Sequence, residues 1–289
     1  MQATLQSPIR FAGVGLHGGR PANVIIHPAP RDAGITFVRT DLGGLRIPAR
    51  ADLVARSPLC TRLVGPTKDA IGTIEHLMAA LAGCDVTNAR VELDGAEVPI
   101  LDGSALPYVR AIRAAGLSHQ EAPGKVLVIK KHVRVCLGDA WAEARPWHGF
   151  RLKGRISFED AAIGTQSLIY RDGPTAFERL LAPARTFCRR ADVEALRAAG
   201  LARGGSTDNA IVDDGAEILT PGGLRMEREF IRHKLLDMIG DLALVGAPIR
   251  GQIEAFRPGH ALNNLMARAL LETPGVASLE VEAPAAVAA

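Results

Sequence analysis

The stretch Arg232-His233-Lys234-Leu235-Leu236-Asp237-Met238-Ile239-Gly240-Asp241 stacks one imidazole and two carboxylates along a single stripe of an otherwise apolar segment. Residues four apart on a helix are neighbours on one face. Helical pitch therefore lets His233 and Asp237 hold one cation between them, with Asp241 a further turn along. A buried stripe of this kind without a counter-charge is costly. The same spacing also fits a capped core histidine beside solvated aspartates, and the stripe alone does not separate the two. Lys234 is rotated ~100° off the ligand face; a lysine there pairs with phosphate or is simply solvated.

A second segment, Gly72-Thr73-Ile74-Glu75-His76-Leu77-Met78-Ala79-Ala80-Leu81-Ala82-Gly83, has a threonine at its start, good helix formers and a closing glycine, which predicts a short helix. If His76 joins His233 and Asp237, the set becomes two histidines and a carboxylate, the ligand count of catalytic rather than structural zinc. Glu75 is then an adjacent general base. Zn²⁺ suits the set and hydrolysis, and Fe²⁺ fits the same ligands. Taken alone, Glu75-His76 is equally a first-turn acid favoured by the helix dipole beside a chance histidine. A third cluster, Arg257-Pro258-Gly259-His260-Ala261-Leu262-Asn263-Asn264, follows a strand-like run ending at Phe256 and opens another helix. His260, at that junction, is either a general acid titrating near neutrality or a helix-capping histidine.

Beyond these clusters, matching blocks run nearly end to end. They are Gly13-Val14-Gly15-Leu16-His17-Gly18-Gly19, Leu59-Cys60-Thr61, Thr73-Ile74-Glu75-His76-Leu77, Pro99-Ile100-Leu101-Asp102-Gly103-Ser104, Ala184-Arg185-Thr186-Phe187, Gly204-Gly205-Ser206, Phe230 to Asp237, and Gly259 to Asn264. Through them the chain resembles the zinc-dependent UDP-3-O-acyl-N-acetylglucosamine deacetylases, which carry out the committed step of lipid A biosynthesis. The resemblance implies that His76, His233 and Asp237 bind zinc and that Glu75 takes a proton from the attacking water. It implies a protonated His260 that assists the leaving amine, Asp241 orienting His260, and Thr186 bonding the developing oxyanion. Phe187, Lys234 and the Gly204-Gly205 turn fall where the sugar and diphosphate are held. Cys60 falls near the metal opening, though a lone cysteine also reads as a small buried hydrophobe.

Composition fits a soluble enzyme. The 289 residues are 47% hydrophobic, roughly two average domains with ample apolar content for two cores. A net charge of +3 with interspersed signs, and 4% aromatic residues, argue against a nucleic-acid partner. Cys60, Cys84, Cys136 and Cys188 form no Cys-x-x-Cys pair, consistent with reduced thiols in the cytoplasm. Neither a signal peptide nor an apolar run approaching ~18 residues is present, so cytoplasmic location is expected. The implied substrate carries an acyl chain, and at most transient contact with a membrane surface is expected. A monomer is expected, and 282–289 reads as a frayed tail.

A Pro-Gly turn at Gln120-Glu121-Ala122-Pro123-Gly124 suggests a boundary, giving units 1–122 and 123–289. Residues 23–27 and 89–93 before it, and 125–129, 132–136 and 252–254 after it, read as strands. Leu106 to Ala115 reads as a helix. Periodicity alone gives α+β. The resemblance adds two similarly built layered halves, each with helices packed on an antiparallel-rich sheet, and the active site between them. An amphipathic helix at 192–201 and a strand around 210–212 match the family's insert, about 188–222, which walls an acyl-chain passage. Leu196, Leu201 and Ile211 are candidate chain contacts or simply core. Cys188-Arg189, and Phe158-Glu159-Asp160 where a His-Pro pair is common, depart from the family pattern and bear on the shape of that passage. Two rival readings are a zinc amidohydrolase acting on another acylated amino sugar and a non-catalytic protein on the same scaffold.

Overall fold

A computed structural model describes residues 1–55, 57, 59–173 and 175–282. The first half runs β1 (Gln2–Leu5), β2 (Ile9–Val14), β3 (Pro21–Pro28), β4 (Ile35–Arg39), β5 (Leu45–Pro48), β6 (Val54–Ala55), β7 (Arg62–Val64), β8 (Ala70–Ile71), α1 (Glu75–Gly83), β9 (Ala89–Leu93), α2 (Leu106–Ala115) and β10 (Leu117–Gln120). The second runs β11 (Lys125–Ile129), β12 (Val133–Leu137), β13 (Ala140–Arg145), β14 (Phe150–Ser157), β15 (Thr165–Arg171), α3 (Ala176–Leu180), β16 (Phe187–Arg189), α4 (Arg190–Ala198), β17 (Ile211–Asp213), α5 (Glu229–Leu242), β18 (Ile249–Phe256), α6 (His260–Glu272) and β19 (Ala277–Val281). The class is α+β.

The two halves repeat one topology. Strands pair in the order β2-β3-β9-β4-β5 in the first and β12-β13-β18-β14-β15 in the second. In each, the central strand runs antiparallel to one neighbour, β3 or β13, and parallel to the other, β4 or β14. One helix precedes each central strand and another follows it. Each half also inserts extra structure between its edge strand, β5 or β15, and the helix that precedes its central strand, α1 or α5: the small sheet β6-β7-β8 in one, and α3 with the parallel β16-α4-β17 unit in the other. Strands β1 and β10 pair across the first half, while β11 and β19 extend the second sheet beside the start of β18.

Alternation explains which face is covered. In β9, Ala89, Val91 and Leu93 are buried while Arg90 and Glu92 point away; in β18, Gly251, Ile253 and Ala255 are buried. Helices α1 and α5 differ from amphipathic surface helices, because both are buried on nearly every face. They pack on each other between the sheets, and one apolar cluster runs from Leu5 to Val276 through both halves.

Two expectations are corrected in detail. Helix α1 begins at Glu75 rather than Gly72, because Thr73 adopts a left-handed backbone (φ 57°) and turns its hydroxyl onto Glu97 Oε1 at 2.8 Å. Of the tail, 283–289 lies outside the described residues, whereas the Glu282 N–H donates to the Gly124 carbonyl at 2.8 Å.

The α1–α5 crossing is a backbone contact. A Cβ at Gly240 would overlap the carbonyl of Glu75 and lie 3.1 Å from the Ala79 nitrogen, so only glycine permits this approach. Gly240→Ala is expected to lower stability by at least about 1–3 kcal/mol, the usual cost of overpacking. It should also reduce activity, since the displaced backbone carries Glu75 and His76. Urea unfolding and turnover check this, and wild-type values for both would contradict it.

Candidate metal and acid-base site

Helix α1 supplies Glu75 and His76 in its first turn, and α5 supplies His233, Lys234, Asp237 and Asp241. His76 Nε2 lies 3.6 Å and His233 Nε2 3.3 Å from Asp237 Oδ1, and one ligand atom from each of the three residues falls within 4.8 Å of the others. All three side chains are buried. His233 Nδ1 lies 3.0 Å from the Ala184 carbonyl, which only accepts, so Nδ1 carries the proton and Nε2 presents its lone pair. That lone pair faces Asp237 Oδ1, a buried oxygen with no hydrogen-bond partner. Acceptors converging on acceptors in a dry site are what a cation resolves, so the donor set fits a divalent metal. Burial pushes the His233 imidazole down to about 3 despite the Asp237 charge, leaving it neutral as a ligand must be. Burial alone would raise the Asp237 carboxyl, yet the charges gathered around it, the Lys234 ammonium among them, hold it well below the usual carboxylate range.

The acid-base groups lie beside this cluster. Glu75 Oε1 is 3.7 Å from His260 Nε2, and its Oε2 accepts the Thr61 N–H at 3.0 Å. His260 opens α6 and donates from Nδ1 to Asp241 Oδ2 at 2.9 Å. Burial pushes the Glu75 carboxyl up to about 7, against the pull of the nearby His260 charge. For His260, burial opposes the charged ring, but Asp241 and then Glu75 outweigh it and push it up to about 10. The pair thus holds a carboxylate near its switching point beside an imidazolium that stays charged at neutral pH.

These groups open into a cavity of about 520 Å³ lined by Thr186, Phe187, Lys234, Phe158 and Arg257 among others. The Lys234 amine reaches back from its rotated position to Asp237 Oδ2 at 2.6 Å and lies 5.6 Å from the centre of the Phe187 ring. Phe187 packs edge-on against Phe158 and Phe230. Thr186 is held from both backbone sides, its N–H donating to Gly103 and its carbonyl accepting from Ile211. Gly204 and Gly205 are not among the lining residues. The Gly204 N–H donates to the Leu16 carbonyl at 3.0 Å, and a Cβ there would overlap the Gly15 carbonyl. Cys60 is buried, and all four cysteines are free. In the insert, Ile211 is core, while Leu196 and Leu201 are half-buried. Arg189 pairs with Asp192 at 2.7 Å and Asp160 at 3.7 Å.

Several residues here were given no role by sequence reasoning. Thr61 contacts both Glu75 and Asp241, and Asn263 Nδ2 donates to Asp241 Oδ2 at 2.8 Å. The fully buried Glu229 accepts from the Arg185 side chain and from the Arg185 and Arg225 amides, tying the start of α5 to the strip bearing Ala184 and Thr186. Glu97 accepts the His17 and Gly18 amides at 2.8 Å each and fixes Thr73. Thr73, Arg228 and Arg257, just ahead of α1, α5 and α6, all have left-handed backbone (φ 57°, 54° and 52°). Such strain costs on the order of 1–3 kcal/mol per residue and gathers at functional sites. Thr61 and Asn263 stood inside matched sequence blocks; the ion pair and the strained positions had no local sequence signal.

The sequence profile of the UDP-3-O-acyl N-acetylglycosamine deacetylase family matches residues 2–272. The chain is 47% identical to the UDP-3-O-acyl-N-acetylglucosamine deacetylase of Anaeromyxobacter sp. (strain Fw109-5), over 95% of this chain and 90% of that protein. It is 45% identical to the protein of the same name from Shewanella oneidensis, over 99% of this chain and 95% of the relative. A third, from Shewanella baltica, is 46% identical over 93% and 89%.

Zinc added to metal-stripped protein is expected to raise the thermal midpoint, by more as free zinc rises, because an ion that binds only the folded state stabilises it. His76→Ala and His233→Ala should abolish the rise. Calorimetry with a zinc titration checks this, and equal shifts in all three proteins would remove the cluster as the ion's site.

Proposed function

The chain belongs to the UDP-3-O-acyl N-acetylglycosamine deacetylase family, its reaction is hydrolysis of the acetamide of UDP-3-O-acyl-N-acetylglucosamine in lipid A biosynthesis, and we propose that zinc held by His76, His233 and Asp237 serves that reaction. The observation carrying this reading is the partnerless, buried Asp237 Oδ1 facing two imidazole nitrogens. Zn²⁺ suits the set, and Fe²⁺ is accommodated by the same ligands. When bound, the ion supplies Lewis acidity for the amide carbonyl and lowers the pKa of water to ~7.

The chain's own groups do the rest. Glu75, whose Oε2 is anchored by Thr61, accepts the proton of the attacking water at Oε1. His260 holds its proton beside the reacting amide, its positive charge favouring the tetrahedral intermediate, and passes that proton to the departing nitrogen. Asp241 keeps the imidazolium oriented through Nδ1. Thr186 donates its hydroxyl to the developing oxyanion, and burial of the site strengthens each of these interactions. Lys234 and Phe187 hold the sugar and diphosphate. The Gly204-Gly205 turn acts at one remove, by fixing the loop that carries Leu16. Leu196 and Leu201 of the insert contact the acyl chain. The halves 1–122 and 123–289 are the units that meet at the site. Among the described residues no helix is long and apolar enough to cross a membrane, and the free cysteines suit a cytoplasmic enzyme.

Glu75→Ala and His260→Ala should each lower turnover by about 10²–10⁴-fold while zinc content is retained, in line with the usual worth of acid-base assistance. Released acetate and metal analysis measure the two quantities, and full activity in either variant contradicts the assignment.

The pH profile follows from the same two groups. Glu75 is the working base only when ionised, so activity falls as pH drops through about 7 or, with a cation alongside, somewhat below it. His260 is the working acid only when protonated, so activity also falls as pH rises through about 10. Asp241→Asn removes the charge that keeps His260 protonated and should bring the alkaline limb to lower pH. A limb that stays in place would contradict this account of His260.

A further inference from the structure

We propose that Thr61 is a positioning residue that ties the general base to the general acid; this rests on the acid-base reading above. Thr61 ends the loop between β6 and β7, is buried, and touches both acid-base groups through different atoms. Its backbone N–H donates to Glu75 Oε2 at 3.0 Å, which leaves Oε1 as the oxygen turned toward His260 and the cavity. Its hydroxyl donates to Asp241 Oδ1, since a carboxylate only accepts. The same hydroxyl oxygen stands 3.3 Å from His260 Nδ1, so the ring N–H is shared between Asp241 Oδ2 and Thr61 Oγ1.

The consequence is a fixed spacing. Asp241 has Oδ1 taken by Thr61 and Oδ2 taken by His260 and Asn263, so its carboxylate has one orientation in which every bond is made. Glu75 rides on α1, Asp241 on α5 and His260 on α6, and Thr61 is the residue that bonds to all three. The hydroxyl sets the acid and the amide sets the base, and chemistry in a constrained site is sensitive to displacements of about 1 Å.

The test compares two substitutions that divide the side chain. Thr61→Val keeps the shape and the backbone N–H but loses the hydroxyl; Thr61→Ser keeps the hydroxyl and loses the methyl. Thr61→Val is expected to lower kcat about 10- to 100-fold, with KM within about twofold, zinc content unchanged and a displaced alkaline limb in the pH profile. Thr61→Ser should stay near wild type in all four. If the valine variant does not fold, Thr61→Ala serves in its place. A valine or alanine variant with wild-type kcat, or a serine variant as impaired as valine, overturns the proposal and makes Thr61 a packing residue. Wild-type protein and Glu75→Ala in the same acetate assay keep the readings separate: wild-type turnover lost on Glu75→Ala upholds the deacetylase reading whichever way Thr61 falls.

Discussion

The molecule depends on a contact in which no side chain takes part on one side. Gly240 lets the backbone of α5 reach the carbonyl of Glu75 at the start of α1. The same approach brings His76 to within 3.6 Å of Asp237 and places it with His233 in one cluster. The approach also accompanies burial of α1 and α5 on almost every side, which leaves them little solvated face on which to display polar residues. Glu75 and His76 on α1 and His233, Asp237 and Asp241 on α5 therefore face the same region between the helices, and that convergence is the site.

Burial on this scale makes charge balance the second constraint. Glu75, Asp237 and Asp241 bring three carboxylates into a dry region, and Lys234 and a protonated His260 bring two cations. Oxygens not met by a cation are met by donors such as Thr61 and Asn263, with one exception, Asp237 Oδ1. Among these carboxylate oxygens the one left unmet marks where charge is missing; Asn263 Oδ1, also buried without a partner, belongs to a neutral amide. The same field keeps His260 charged and His233 neutral, although both are buried histidines within one site. Burial opposes charge on both: at His260 the Asp241 and Glu75 carboxylates outweigh it, whereas at His233 the single carboxylate of Asp237 does not, and His76 and Lys234 add to the burial.

The legible part of this arrangement was the part written at short range. The i, i+4 stripe of His233 and Asp237, the Glu75-His76 pair and the junction at His260 each signal themselves locally, and matched blocks drew them together. The strands at 23–27 and 89–93 were visible because a half-buried sheet forces alternation, and 125–129 because its run of Val, Leu and Ile suits a strand. The repeated strand order was not, since equivalent strands share a pairing pattern rather than residues: β4 is Ile-Thr-Phe-Val-Arg and β14 carries Arg151, Lys153 and Arg155. Thr61 stayed without a role because one hydroxyl in a loop carries no period and no charge. The left-handed backbone at Thr73 was invisible for a related reason, as threonine is a poor residue for that conformation and only the Glu97 bond accounts for it.

The duplicated layout gives each half one of the two helices that carry the His76, His233 and Asp237 cluster, and it has a consequence for how the protein comes off the ribosome. His76 and His233 lie roughly 150 residues apart, and at synthesis rates of about 5–20 residues per second the earlier histidine waits on the order of 8 to 30 seconds for the later one. During that interval the α1 face that will meet Gly240 is an uncovered apolar surface on a nascent chain. The α1 face that packs on α5 can be covered only once the second half has been made, and His76, His233 and Asp237 converge only then.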